Sequence, residues 1–145
     1  MKTTLTIMLL LMVNIAIQAQ TTADRVAILQ VLLEHPQLQA HYATNPDGSV
    51  KQRYILQHPT SFSAEVIAAL PPETAIILET DELPAGAANW IRFRSMGVSA
   101  TVASGVMNLF VDANGDGQAI ILMVHFELQK SGEAWQVTNL NIGGF

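Results

Sequence analysis

The chain has 145 residues, half of them apolar, with twelve acidic and seven basic side chains for a net charge of −5, and it contains no cysteine. The acidic balance and the scatter of the basic residues argue against nucleic acid as a partner, because neutralising phosphates requires clustered Lys and Arg. Without cysteine there is no disulfide, thiolate metal site or cysteine nucleophile, so the fold depends on its core alone.

Met1 to Gln20 resembles a secretory signal peptide, with Lys2 as a short positive start, Leu5 to Ile17 as the apolar run and Ile17-Gln18-Ala19 as the cleavage site. A second cut is available after Ala23. A retained membrane anchor is the competing reading, but the apolar run is shorter than the roughly 20 residues of a spanning helix. Cleavage implies a secreted or periplasmic protein with no stable membrane insertion. It removes segment 1–19 with Lys2 and leaves six basic against twelve acidic residues, a charge of −6. Residues 20–145, about 125 in number, are the size of a single domain.

Thr22 to His35 reads as a helix, capped by Thr21 or Thr22, with Asp24 in its first turn and Pro36 just past its end. Apolar residues from Val26 to Leu33 cover most of its circumference, so it should be largely buried. Leu38–Tyr42 and Val50–Leu56 flank Asn45-Pro46-Asp47-Gly48 and predict a hairpin; a short helix started by Pro36 is the alternative. Ser61 or Ser63 caps a helix that Pro71-Pro72 stops near Leu70. Thr74–Thr80 and Asn89–Met96 read as strands. In the second of these, Ile91 and Phe93 alternate with Trp90, Arg92 and Arg94, which sets a core face against one carrying two guanidiniums.

From Val98 onward the chain predicts an antiparallel meander. Its first hairpin turns in Ala113-Asn114-Gly115-Asp116-Gly117, and its second at Ser131-Gly132. Centring the first turn on Asn114-Gly115 sets Phe110 opposite Ile120 and Val106 opposite Val124, with Leu109 opposite Ile121 and Met107 opposite Met123 on the other face. Pairing Lys130 with Glu133 sets Trp135 opposite Leu128 and Leu140 opposite Met123. The central strand then changes its buried face halfway along, as in a long, bent sheet. The fold class is α+β: a long, bent antiparallel meander packed against one or two N-terminal helices. With both faces apolar near the loop, Met107, Leu109, Ile121, Met123, Leu140 and Ile142 form a surface for a protein partner, a small apolar ligand or a second copy in a homodimer.

Asp112-Ala113-Asn114-Gly115-Asp116-Gly117 matches the first half of a calcium loop, with Asp112, Asn114 and Asp116 as ligands. The twelfth position is Met123 instead of a carboxylate, so a polar turn is the better reading. No cofactor motif is present. His125 and Glu127 share one face of a strand and are the candidate acid/base pair; Gln136 and Thr138 lie near them, and with Arg92 and Arg94 form the candidate ligand-binding set. Arg92 and Arg94 also face Glu79, Asp81 and Glu82 as ion-pair partners.

A leading helix, long antiparallel strands and a Gly-turned hairpin whose last strand begins Ala134-Trp135-Gln136-Val137 resemble the cystatin-like and NTF2-like α+β architecture, over roughly the last 70 residues. That resemblance implies a sheet wrapped on a helix. Its members include isomerases, dehydratases and non-catalytic binding modules, so two functions stand: an exported non-catalytic binding or association domain, or a small acid/base enzyme with a cone-shaped pocket around His125 and Glu127.

Overall fold

The computed structural model describes residues 22–144; the segment read as a signal peptide lies outside the described residues. Helix α1 covers residues 22–33, followed by α2 (Pro36–Gln39), β1 (Arg53–Leu56), α3 (Ala64–Ala69), β2 (Ile76–Ile77), β3 (Asn89–Val98), β4 (Val102–Val111), β5 (Ile120–Ser131) and β6 (Ala134–Gly144). The strands form one sheet in the order β2-β1-β3-β4-β5-β6. β3 to β6 are an antiparallel meander, whereas β1 runs parallel to both β2 and β3. The class is α+β.

Helix α1 is buried as its composition demands. Ile28, Leu29, Leu32 and Leu33 are fully enclosed, and Val26, Ala27 and Val31 pack partly against the same core. Its C-terminus would leave carbonyls without donors. Tyr42 Oη and Arg53 Nη1 both donate to the Leu33 carbonyl, at 3.0 and 3.1 Å, and Arg53 lies 5.0 Å over the Tyr42 ring. Burial pushes the Tyr42 phenol up to about 12 against the opposing charge of Arg53. At the N-terminal end, Asp24 accepts from Lys130 Nζ at 2.9 Å and Trp135 Nε1 at 3.1 Å, tying α1 to the last hairpin.

The hairpin predicted across residues 38–56 is replaced by its alternative. His35 caps α2 through Nδ1, Pro36 starts it, and only Thr44 and Val50 pair as an isolated bridge. The Asn45–Gly48 turn forms, with Gly48 at φ +87°, but β1 leaves it to pair with β3. Asn89 draws it there. Its amide accepts from Ala43 N–H and donates to the carbonyls of Ala43 and Lys51, filling the role of a ladder strand in the core. Ser63 caps α3 by accepting from Val66 N–H, and the strand predicted over 74–80 shortens to β2.

The change of face predicted for the central strand does not occur. Phe110 pairs with Ile121 instead of Ile120, and Met107 with Val124 instead of Met123, a shift of one residue along the whole hairpin. The physical reason is Asp112. Its carboxylate accepts from the N–H groups of Gly115, Asp116 and Gly117, which moves the turn centre half a step toward the C-terminus. In the second hairpin the two-residue turn is Gly132-Glu133, with Ser131 opposite Ala134 and Gly132 at φ +64°, where a type II′ turn places its glycine.

The apolar pattern does shift parity along β3 and β6, and bulges absorb it. Arg94 is the extra residue between Phe93 and Ser95, and Thr138 the extra residue between Val137 and Asn139. Thus Ile91, Phe93, Met96 and Val98, like Trp135, Val137, Leu140 and Ile142, all serve the core. The bulged β3 backbone crowds β4 at Gly105, where a Cβ would lie 2.1 Å from the Ser95 carbonyl oxygen and 2.8 Å from the Phe126 ring.

Candidate functional site

With the register fixed, the two faces of the sheet separate cleanly. The core face carries Ile91 and Phe93, then Ala103, Met107, Leu109 and Val111, then Val124, Phe126 and Leu128, and it receives α1, α2 and α3. Among the described residues no helix packs on the opposite face. There, one row runs Ile76, Tyr54, Trp90, Phe110, Ile121 across five strands. Trp90 and Phe110 stack with ring centroids 5.5 Å apart and planes 5° apart. Ile76 and Ile121 close the row at 38% and 37% exposure.

The next row is Leu56, Arg92, Asn108, Met123. Asn108 is only 7% exposed, and its Oδ1 has no hydrogen-bond partner. Leu56, in the same row, is likewise buried, at 1% exposure. Arg92 is held by Asp81, which its Nη1 meets at 3.2 Å, and by the His58 carbonyl at 3.1 Å. Asp81 also takes Gln57 N–H and His58 Nδ1; desolvation raises its pKa, but the bonds from Gln57 N–H and Arg92 and the positive charge of Arg92 hold it below the ordinary carboxylate range. This cluster is the ion pair expected between the 79–82 segment and β3, and it fastens two loops to the sheet.

Further along, the open face turns polar. Val106 lies between Ser95 and His125, with Asn141 beyond, and Ser104 lies between Gly97 and Glu127, with Asn139 beyond. His125 is exposed, and Glu127 accepts from Thr138 Oγ1 at 3.4 Å. The two therefore share a solvent-facing sheet surface and line no enclosed apolar cavity with each other. Gln136 and Arg94 are exposed, and Thr138 and Arg94 are the two bulge residues, so Arg94 is turned out of the Arg92 row.

The expected partner surface is divided by the corrected register. Met107 and Leu109 are fully buried in the core, and Leu140 and Ile142 pack against its rim. Only Ile121 and Met123 belong to the open face. Asp112, Asn114 and Asp116 form the polar turn: both Asp112 carboxylate oxygens accept backbone N–H groups, and Asp116 Oδ1 turns to Gln118 N–H. Those hydrogen bonds shape and close the turn. Among the described residues, no three acidic or histidine side chains gather as a metal site.

Tyr54, Phe110 and Asn108 were not legible as site residues in the sequence, because the slipped register set Phe110 and Asn108 on a core face. The available signal was Asn108 itself. An amide inside Val106-Met107-Asn108-Leu109-Phe110 is a poor strand former with nothing to gain from a dry core.

No protein-family model matches the chain, and neither the curated proteins nor the solved structures yield a match. No described helix is long and apolar enough to cross a membrane.

Proposed function

We propose that this chain is an exported, non-catalytic binding or association domain that uses the open face of its sheet for a small apolar ligand or a protein partner. The observation that carries the reading is the aromatic and apolar row Ile76, Tyr54, Trp90, Phe110, Ile121, together with Met123, on the face that the described helices leave uncovered. Ile76 and Ile121 at its ends are exposed, and apolar patches on a surface mark interaction sites. The likeness to cystatin-like and NTF2-like architectures is compatible with this role and does not decide it. The acid/base alternative has less support, since His125 is exposed on the polar part of the open face.

Binding of the neutral dye Nile red tests the reading. The protein should bind it saturably with enhanced emission. The double substitution Ile121→Lys, Met123→Lys should weaken that binding severalfold at an unchanged melting temperature. Equal binding by both proteins would remove the open face from consideration.

A further inference from the structure

We infer that Asn108 is the polar anchor of a ligand site on the open face, and that the ligand is a small, neutral, flat and mostly apolar molecule with one N–H or O–H donor. The inference rests on the binding role proposed for that face and gives it a chemical class. Asn108 sits on the central strand β4 at 7% exposure with Oδ1 unpartnered. Buried polar atoms in native proteins are nearly all paired, because an unsatisfied carbonyl loses its hydration for no return. Asn89, fully enclosed, uses both ends of its amide. Asn108 Oδ1 has no donor within the chain and no open surface of its own, so a ligand donor reaches it as the flexible Met123 side chain opposite moves aside.

The surroundings define that donor's carrier. Arg92 lies directly beside Asn108 in the row, which disfavours a cation, while the carbonyl oxygen itself disfavours an anion. A neutral N–H or O–H remains. The stacked Trp90 and Phe110 rings stand in the adjoining row and Met123 flanks the other side, so a flat apolar body meets aromatic and thioether surface. Size also argues for a small molecule. Ile76 and Ile121 are 38% and 37% exposed, and Tyr54, Trp90, Phe110 and Met123 are partly buried. The apolar strip thus offers well short of the roughly 800 Å² that each partner buries in a stable protein interface.

The test compares indole with 1-methylindole, which keeps the ring and lacks the donor, by NMR titration of the full 15N-labelled chain. Indole should shift the Asn108 side-chain amide and the Trp90 indole N–H saturably, and bind about 3- to 10-fold more tightly than 1-methylindole. Asn108→Leu, of similar volume, should erase that preference at an unchanged or higher melting temperature. Equal affinities, or a preference that survives Asn108→Leu, would overturn the anchor while leaving the open face as a binding surface. Failure of both probes to shift any open-face resonance would overturn the small-molecule inference, and loss of Nile red binding as well would overturn the small-ligand reading of the face. Concentration-dependent shifts at Asn108 and Trp90 accompanied by a dimeric mass in light scattering would assign the face to a second copy, overturning the small-molecule inference alone.

Discussion

Two asparagines, both enclosed and both on central strands, mark the difference between the two faces of this sheet. Asn89, on the side that receives the helices, spends its amide on the backbone of residues 43 and 51 and so holds the loop before β1 in place. Asn108, on the side without helices, is 7% exposed and keeps its carbonyl oxygen unpaired between Arg92 and Met123. The first amide is an architectural element. The second has no partner inside the chain, and under the proposed function that contrast assigns stability to one face of the strands and recognition to the other.

Neighbouring residues on β4 offer the largest test of that division. Leu109 is fully buried on the core face, so Leu109→Ala should cost about 3 kcal/mol in urea denaturation. Phe110, one residue on, belongs to the open face; Phe110→Ala should cost only about 1 kcal/mol, the stack with Trp90 and part of a side chain's burial. Equal losses would mean that the open face is a second core.

Gly105 probes the join between the two halves of the sheet. Gly105→Ala should destabilise by about 2 kcal/mol, since the added Cβ meets the backbone of the Arg94 bulge and not merely a movable side chain. A neutral outcome would show that the bulge yields.

Asp24 tests how the core face is fastened to α1. Burial opposes its ionisation, but hydrogen bonds from Lys130 and Trp135 and the charge of the ammonium outweigh this and hold the carboxyl below its ordinary range. A depressed native pKa means stability that is present above the unfolded value of about 3.9 and is lost as pH falls through the native one. Asp24→Asn should therefore lower stability at pH 7 by about 1 to 2 kcal/mol and flatten the acid limb below about pH 4. An acid limb identical in the two proteins would remove Asp24 from that account. Open-face substitutions away from the Arg92–Asp81 pair should leave the limb unchanged.

Much of this division was legible in the sequence. The all-round apolar surface of 26–33 required a buried helix, Ser63 and Pro71 bracketed α3, and the alternation of Ile91 and Phe93 with Trp90 and Arg92 already separated core from open face on β3. The register of the meander was not, because Asp112 recruits three backbone donors into its loop and one residue of slip exchanges every side chain. That slip set Met107 and Leu109 on a surface and hid Phe110 and Asn108. Parity shifts in β3 and β6 were real, but bulges at Arg94 and Thr138 explain them without any change of face in β5. The parallel pairing of β1 with β3 depends on Asn89 reaching residues 43 and 51, a contact across about 40 positions that no local pattern encodes.

The most direct test is to measure the urea midpoints of Asn89→Leu and Asn108→Leu side by side. Asn89→Leu should lose about 3 kcal/mol, because three hydrogen bonds vanish and buried backbone groups are left unpaired. Asn108→Leu should hold its stability or gain about 1 kcal/mol, because an unsatisfied carbonyl is replaced by hydrocarbon of similar size. A loss in Asn108→Leu as large as that in Asn89→Leu would contradict the account, since Asn108 would then be serving the fold and not a ligand.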